Sequence, residues 1–196
     1  MARYGWHFHS TCLMGRLMRL FIALGIPHPL STRLATLRGS LAEVNWVPPE
    51  TYHLTLRFIG EVTDRHMMED IHHALSAIHA PAFDLLADAP GLFERPGAPA
   101  TLWMGIVRND SLLHLQRKVD TAMRRVGLGE RHRRFVPHIT LGSIPYPDAT
   151  RLATWLGRHA MVGGDATAIR TFSLYRSLRG KESPAYEVLE DYDLSP

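Results

Sequence analysis

The chain reads as an α+β protein of two related lobes, each an antiparallel sheet backed by helices, facing one another across a central cleft. Three observations predict this. The four-residue pattern His-x-Thr-Leu occurs twice, as His53-Leu54-Thr55-Leu56 and as His138-Ile139-Thr140-Leu141. Both copies lie in runs that alternate between apolar and polar residues, as half-buried strands do. The order helix, motif strand, helix recurs in both halves, and 196 residues suffice for one large domain with a sizeable core.

Taken in order, strand-like runs fall at about 18–24, 52–59, 82–88, 100–107, 136–142, 168–176 and 185–190. Between them, residues 64–79 carry Met67, Met68, Ile71, Ala74, Leu75 and Ile78 on one stripe, with Thr63 or Asp64 as the cap. Residues 110–126 place Leu112, Leu113, Leu115, Val119, Ala122, Met123 and Val126 inward, with Asp110 as the cap and Gly127 as the stop. Weaker helices fill 28–38 and 148–160. Prolines at Val47-Pro48-Pro49 and Val136-Pro137 fix the entry into each motif strand. Residues 1–17, with Trp6, His7, Phe8, His9 and Cys12, follow no period. They are expected to be an extension ahead of a single bilobal domain over 18–196.

Composition narrows the function classes. Hydrophobic content of 45% and charged content of 21% are those of an ordinary globular protein, and no apolar run approaches a membrane span. A single cysteine excludes an internal disulfide and a cysteine-cluster metal site, and fits a reducing cytoplasm. Of the 12 histidines, His66, His72, His73 and His79 flank the first helical stripe and read as solvated. Net charge is only +3, yet Arg131-His132-Arg133-Arg134 gathers basic residues just ahead of the second motif. Beside a candidate site, such a cluster points to an anionic substrate such as a phosphodiester or an RNA end.

The motifs carry the chemistry. Strict alternation puts His53, Thr55 and Arg57 on one face of the first strand and Tyr52, Leu54, Leu56 and Phe58 on the other. In the second, His138 and Thr140 oppose Phe135, Ile139 and Leu141. Imidazole titrates near neutrality, so two of them can hold opposite protonation states and act as acid and base together. Hydroxyls on the same faces can donate to oxygens that gain charge during reaction.

These residues resemble the paired His-x-Thr-x motifs of the two-histidine (2H) phosphoesterases. The flanks are similar to the RNA 2′,3′-cyclic phosphodiesterase branch, the LigT-like proteins. Met18–Leu24 resembles its opening strand, Asn45–Gly60 and Arg134–Gly142 its two motif blocks, and Ser173–Ser177 with Tyr186–Leu189 its closing hairpin. The resemblance implies a bilobal LigT-like fold and metal-free, cofactor-free hydrolysis of 2′,3′-cyclic phosphates to 2′-phosphates. It implies His53 as general acid, His138 as general base, and Thr55 and Thr140 as substrate contacts. The partners it implies are RNA ends bearing a cyclic phosphate, or cyclic nucleotides; the chain itself is expected to be a cytoplasmic monomer. Many relatives carry a basic residue where this chain has Ser143, so either the phosphate is left to Arg134, Arg57 or Lys181, or the substrate differs. Two alternatives stay open: a 2′–5′ RNA ligase running the step backward, and a catalytically slow nucleotide- or RNA-binding module.

Overall fold

The computed structural model describes residues 18–129, 134–160, 164–178 and 185–195. The extension 1–17, the segment Arg131-His132-Arg133 and Lys181 lie outside the described residues. The elements run β1 (Met18–Gly25), α1 (Leu30–Ala35), β2 (Asn45–Trp46), a 3-10 turn (Pro49–Thr51), β3 (His53–Val62), α2 (Arg65–Ser76), β4 (Phe83–Leu85) and β5 (Ala87–Arg95). They continue as β6 (Ala98–Ile106), α3 (Asp110–Arg125), β7 (His138–Ile144), α4 (Ala149–His159), β8 (Thr167–Ile169), β9 (Thr171–Leu178) and β10 (Ala185–Asp193).

Among the described residues two four-stranded antiparallel sheets form, ordered β10-β9-β1-β3 and β2-β7-β6-β5, together with a small β4-β8 ladder. The expected α+β architecture therefore holds, with one motif on each sheet. β1 is buried on both faces: Leu20 through Leu24 are at most 2% exposed, and the Phe21 ring lies among His53, Tyr175 and Tyr186. β3 and β7 come against one another where the sheets meet.

Several boundaries differ from the sequence expectation. The run 82–88 splits into β4 and the start of β5, and β5 continues to Arg95 through Pro90 and Gly91, residues that mask a strand. Gly91 is there because the Trp103 ring lies across it, and a Cβ would overlap that ring. Helix α3 is capped by Asn109, whose side chain accepts from the Leu112 amide at 2.8 Å; Asp110 is its first residue, where acid favours the positive end of the helix dipole. Asp64 caps α2 as expected, accepting from the His66 amide at 3.1 Å. His72 is not solvated: it is half-buried, with Nδ1 3.2 Å from the Tyr192 hydroxyl.

The path of α3 matters for the site. It follows β6 and precedes β7, both in the second sheet, yet it packs against β3 and α2 behind the first. One lobe's helix thus closes the other lobe's core.

Candidate active site

Strand alternation alone does not build this site. In β3 the pairing with β1 gains one residue after Thr55: Ala23 opposes Thr55 but Ile22 opposes Arg57, so Leu56 is extra. In β7 the pairing with β6 gains one residue after Thr140: Trp103 opposes Thr140 but Leu102 opposes Gly142, so Leu141 is extra. Both motifs therefore carry a β-bulge at the leucine three residues past the histidine. A bulge turns two consecutive side chains toward the same side and reverses the alternation beyond it.

The reversal corrects the predicted face. Leu56 and Arg57 are both buried, at 0% and 5% exposure, while Phe58 emerges at 70%. Its ring lies 6.0 Å from Phe21, the ring that also contacts His53, so Phe58 joins the histidine's face. Arg57 instead points into the fold, where its Nη1 donates to Asp120 Oδ1 at 3.0 Å and its Nη2 donates to the carbonyls of Leu128, at 3.0 Å, and Gly129. A guanidinium so engaged inside the fold is not presented to a phosphate. At the matching position of the second motif stands Gly142, where a Cβ would sit 2.7 Å from the Asn45 carbonyl oxygen of β2. One residue on, Ser143 occupies in β7 the place that Phe58 takes in β3.

The two histidines are held alike. His53 Nδ1 lies 2.7 Å from the carbonyl oxygen of Thr51, and His138 Nδ1 lies 2.7 Å from that of Val136, each carbonyl two residues upstream. A carbonyl can only accept, so both Nδ1 atoms carry hydrogen, and Nε2 is in each ring the nitrogen that can exchange a proton. Aromatic rings set the imidazole planes. Around His53 stand Phe21 at 5.0 Å, Tyr186 edge-on at 4.9 Å and Tyr175 at 6.2 Å; around His138 stand Phe93 edge-on at 4.9 Å and Trp103 at 6.0 Å. Sequence reasoning missed all five. They sit on neighbouring strands, and only pairing register reveals that they reach the imidazoles.

This enclosure lowers the pKa of His53 below the usual histidine value, first through burial. The Thr51 carbonyl partly offsets the shift, and the charge of His138 pushes the same way as burial. The two imidazoles are thus close enough to feel one another. Thr55 and Thr140 are half-exposed on the same faces as their histidines, and Arg134 is exposed four residues before His138. An open space of about 1110 Å³ adjoins His53, bounded by α1, the turn before β3, and β9 and β10, with Tyr175, Tyr186 and Arg170 in its lining.

The chain has relatives among known proteins. The LigT like Phosphoesterase family profile matches residues 24–103. An RNA 2′,3′-cyclic phosphodiesterase of Thermotoga maritima is 28% identical over 178 residues, spanning 88% of this chain and 93% of that protein. Its counterpart in Archaeoglobus fulgidus is 25% identical over 90% of this chain and all of its own length. This chain is similar to the LigT-like phosphoesterases over most of its length. Solved structures agree on the fold: E. coli LigT without ligand superposes with a TM-score of 0.76 at 24% identity, over 92% of this chain and 99% of that one. E. coli LigT has also been crystallised complexed with 3′-AMP, with a TM-score of 0.74 at 24% identity over 92% of this chain and all of that one. The residues matched by the family profile run from the end of β1 through the first motif strand to β6.

Proposed function

We propose that the chain hydrolyses 2′,3′-cyclic phosphates of RNA ends or nucleotides to 2′-phosphates, with no metal ion. One observation supports this above others: two imidazoles, one per lobe, each held through Nδ1 on the carbonyl two residues upstream, which makes Nε2 the proton-exchanging atom. The names of the curated relatives support the same substrate class. Water attacks phosphorus opposite the 3′ oxygen, and His138 Nε2 takes its proton. The P–O3′ bond breaks as His53 Nε2 delivers a proton to that oxygen, leaving the phosphate on O2′. Thr55 and Thr140 donate to the non-bridging oxygens as charge grows there.

Support for His53 as the acid comes from where there is room. The departing oxygen stays attached to the nucleoside, and both the open space and the exposed Phe58 ring belong to the His53 lobe. In the free protein, burial keeps His53 neutral near pH 7. A bound phosphodiester brings a negative charge that favours the imidazolium, so substrate itself arms the acid. We assign Arg134, the last residue of the basic segment, to the anionic chain, and expect a cytoplasmic monomer acting through residues 18–196.

Steady-state turnover of adenosine 2′,3′-cyclic phosphate tests the reading, beside a nick-joining assay with matched RNA halves. Hydrolysis at enzymatic rates supports it. Binding without turnover would favour the slow binding module, and efficient joining without hydrolysis the ligase.

A further inference from the structure

Arg57 is almost wholly buried, yet neither imidazole needs it directly. Its contacts run across the lobes. β3 belongs to the first sheet, whereas Asp120 lies in α3 and Leu128 and Gly129 lie on the chain leaving α3 toward β7 and His138. Asp120 is itself oriented by Gln116, whose Nε2 donates to Oδ2 at 2.5 Å. α3 packs on β3 and α2 and buries Leu112, Leu115, Val119 and Met123, and apolar packing of this kind is non-directional. A planar guanidinium donating to a carboxylate and two carbonyls is directional, because its hydrogen bonds fix distance and angle together.

We propose that Arg57 is the positioning residue of the two-histidine site: by locking α3 and the 128–129 segment onto β3, it sets the placement of His138 relative to His53. The bulge at Leu56 is what makes this possible, since regular alternation would have aimed the guanidinium at the cleft. The proposal rests on the two-histidine reaction, but its physical content, the mutual placement of two imidazoles, can be read without turnover.

The test replaces the buried pair by apolar residues of similar size, Arg57→Met with Asp120→Leu, so that no lone charge is left in the core. Circular dichroism and a thermal melt establish folding. NMR then follows the titration of both imidazoles, and kinetics follow a cyclic mononucleotide. The expected outcome is a folded protein in which the influence of His138 on the His53 titration has changed. Its kcat falls by about tenfold to a hundredfold, the scale of an ångström-sized misplacement, with KM nearly unchanged. Arg57→Lys keeps the charge but gathers its donors on one nitrogen in place of a planar fork, and it is expected to restore part of kcat. It also serves as the test should the double variant fail to fold. Two results would overturn the proposal: wild-type titrations and kcat in the folded double variant, or a raised KM with kcat intact, which would make Arg57 a phosphate contact. Absence of turnover in the unaltered protein would instead overturn the proposed function and leave the titration result standing.

Discussion

Replacing Phe58 by alanine separates substrate binding from folding, because the ring is 70% exposed on the cleft face. A fully buried phenylalanine loses about 3–5 kcal/mol on truncation. With under a third of its surface covered, Phe58 is expected to cost about 1 kcal/mol, lowering Tm by about 2–4 °C. An exposed aromatic face beside a phosphate site is a platform for a base, and such stacking contributes about 1–3 kcal/mol. Loss of that contact raises KM for adenosine 2′,3′-cyclic phosphate by roughly 5- to 150-fold. The value of kcat should barely move, since a contact made equally in ground and transition states affects KM alone. The assay compares this nucleotide with 1-O-methylribose 2′,3′-cyclic phosphate, which has no base. Phe58→Ala should leave the base-free substrate untouched, and Phe58→Trp should retain nucleotide affinity. An equal KM rise for both substrates, or none for the nucleotide, refutes the reasoning.

Further expectations follow from the same geometry. His53→Ala or His138→Ala should lower turnover by roughly two to four powers of ten with unchanged far-UV dichroism; near-normal rates in either would remove the mechanism. Because burial lowers the His53 pKa, the alkaline limb of kcat/KM for the free enzyme should fall below pH 6.5, while that of kcat lies higher once phosphate is bound. His138→Gln should raise the His53 titration measured by NMR, since it removes a like charge. The same shift bears on stability: between the folded-state His53 pKa and 6.5 the unfolded chain binds more protons, so this contribution is lost as pH falls through that window. Activity should persist in excess EDTA; loss on chelation with recovery on adding a divalent ion would indicate a metal-dependent enzyme. A chain starting at Met18 should fold and keep its activity, and a Tm drop of more than about 5 °C would show that residues 1–17 belong to the fold.

What could be read from the residues was what repeats or alternates. The His-x-Thr-Leu pairs, the stripe of α2 and the apolar faces around Leu54 and Ile139 follow from period alone, and they place one motif in each sheet. Period fails where register breaks. No residue type announces an extra position at Leu56, so Arg57 and Phe58 exchanged places relative to expectation, and with them a phosphate contact and a core residue. The rings around the imidazoles come from β1, β5, β6, β9 and β10; strand order, rather than local sequence, brings them together. β5 was hidden because Pro90 and Gly91 imitate a turn. The cap of α3 moved by one residue because Asn109 and Asp110 are both good acceptors, and only backbone geometry separates them.

The most direct test of the central claim is the phosphorus NMR spectrum of adenosine 2′,3′-cyclic phosphate incubated with the protein in EDTA. The cyclic resonance should be replaced by that of adenosine 2′-phosphate alone, because the P–O3′ bond is the one whose oxygen His53 protonates. The spectrum should not change with the His53→Ala, His138→Ala double variant. Formation of the 3′-phosphate, or a cyclic resonance that persists with the unaltered protein, would contradict the account.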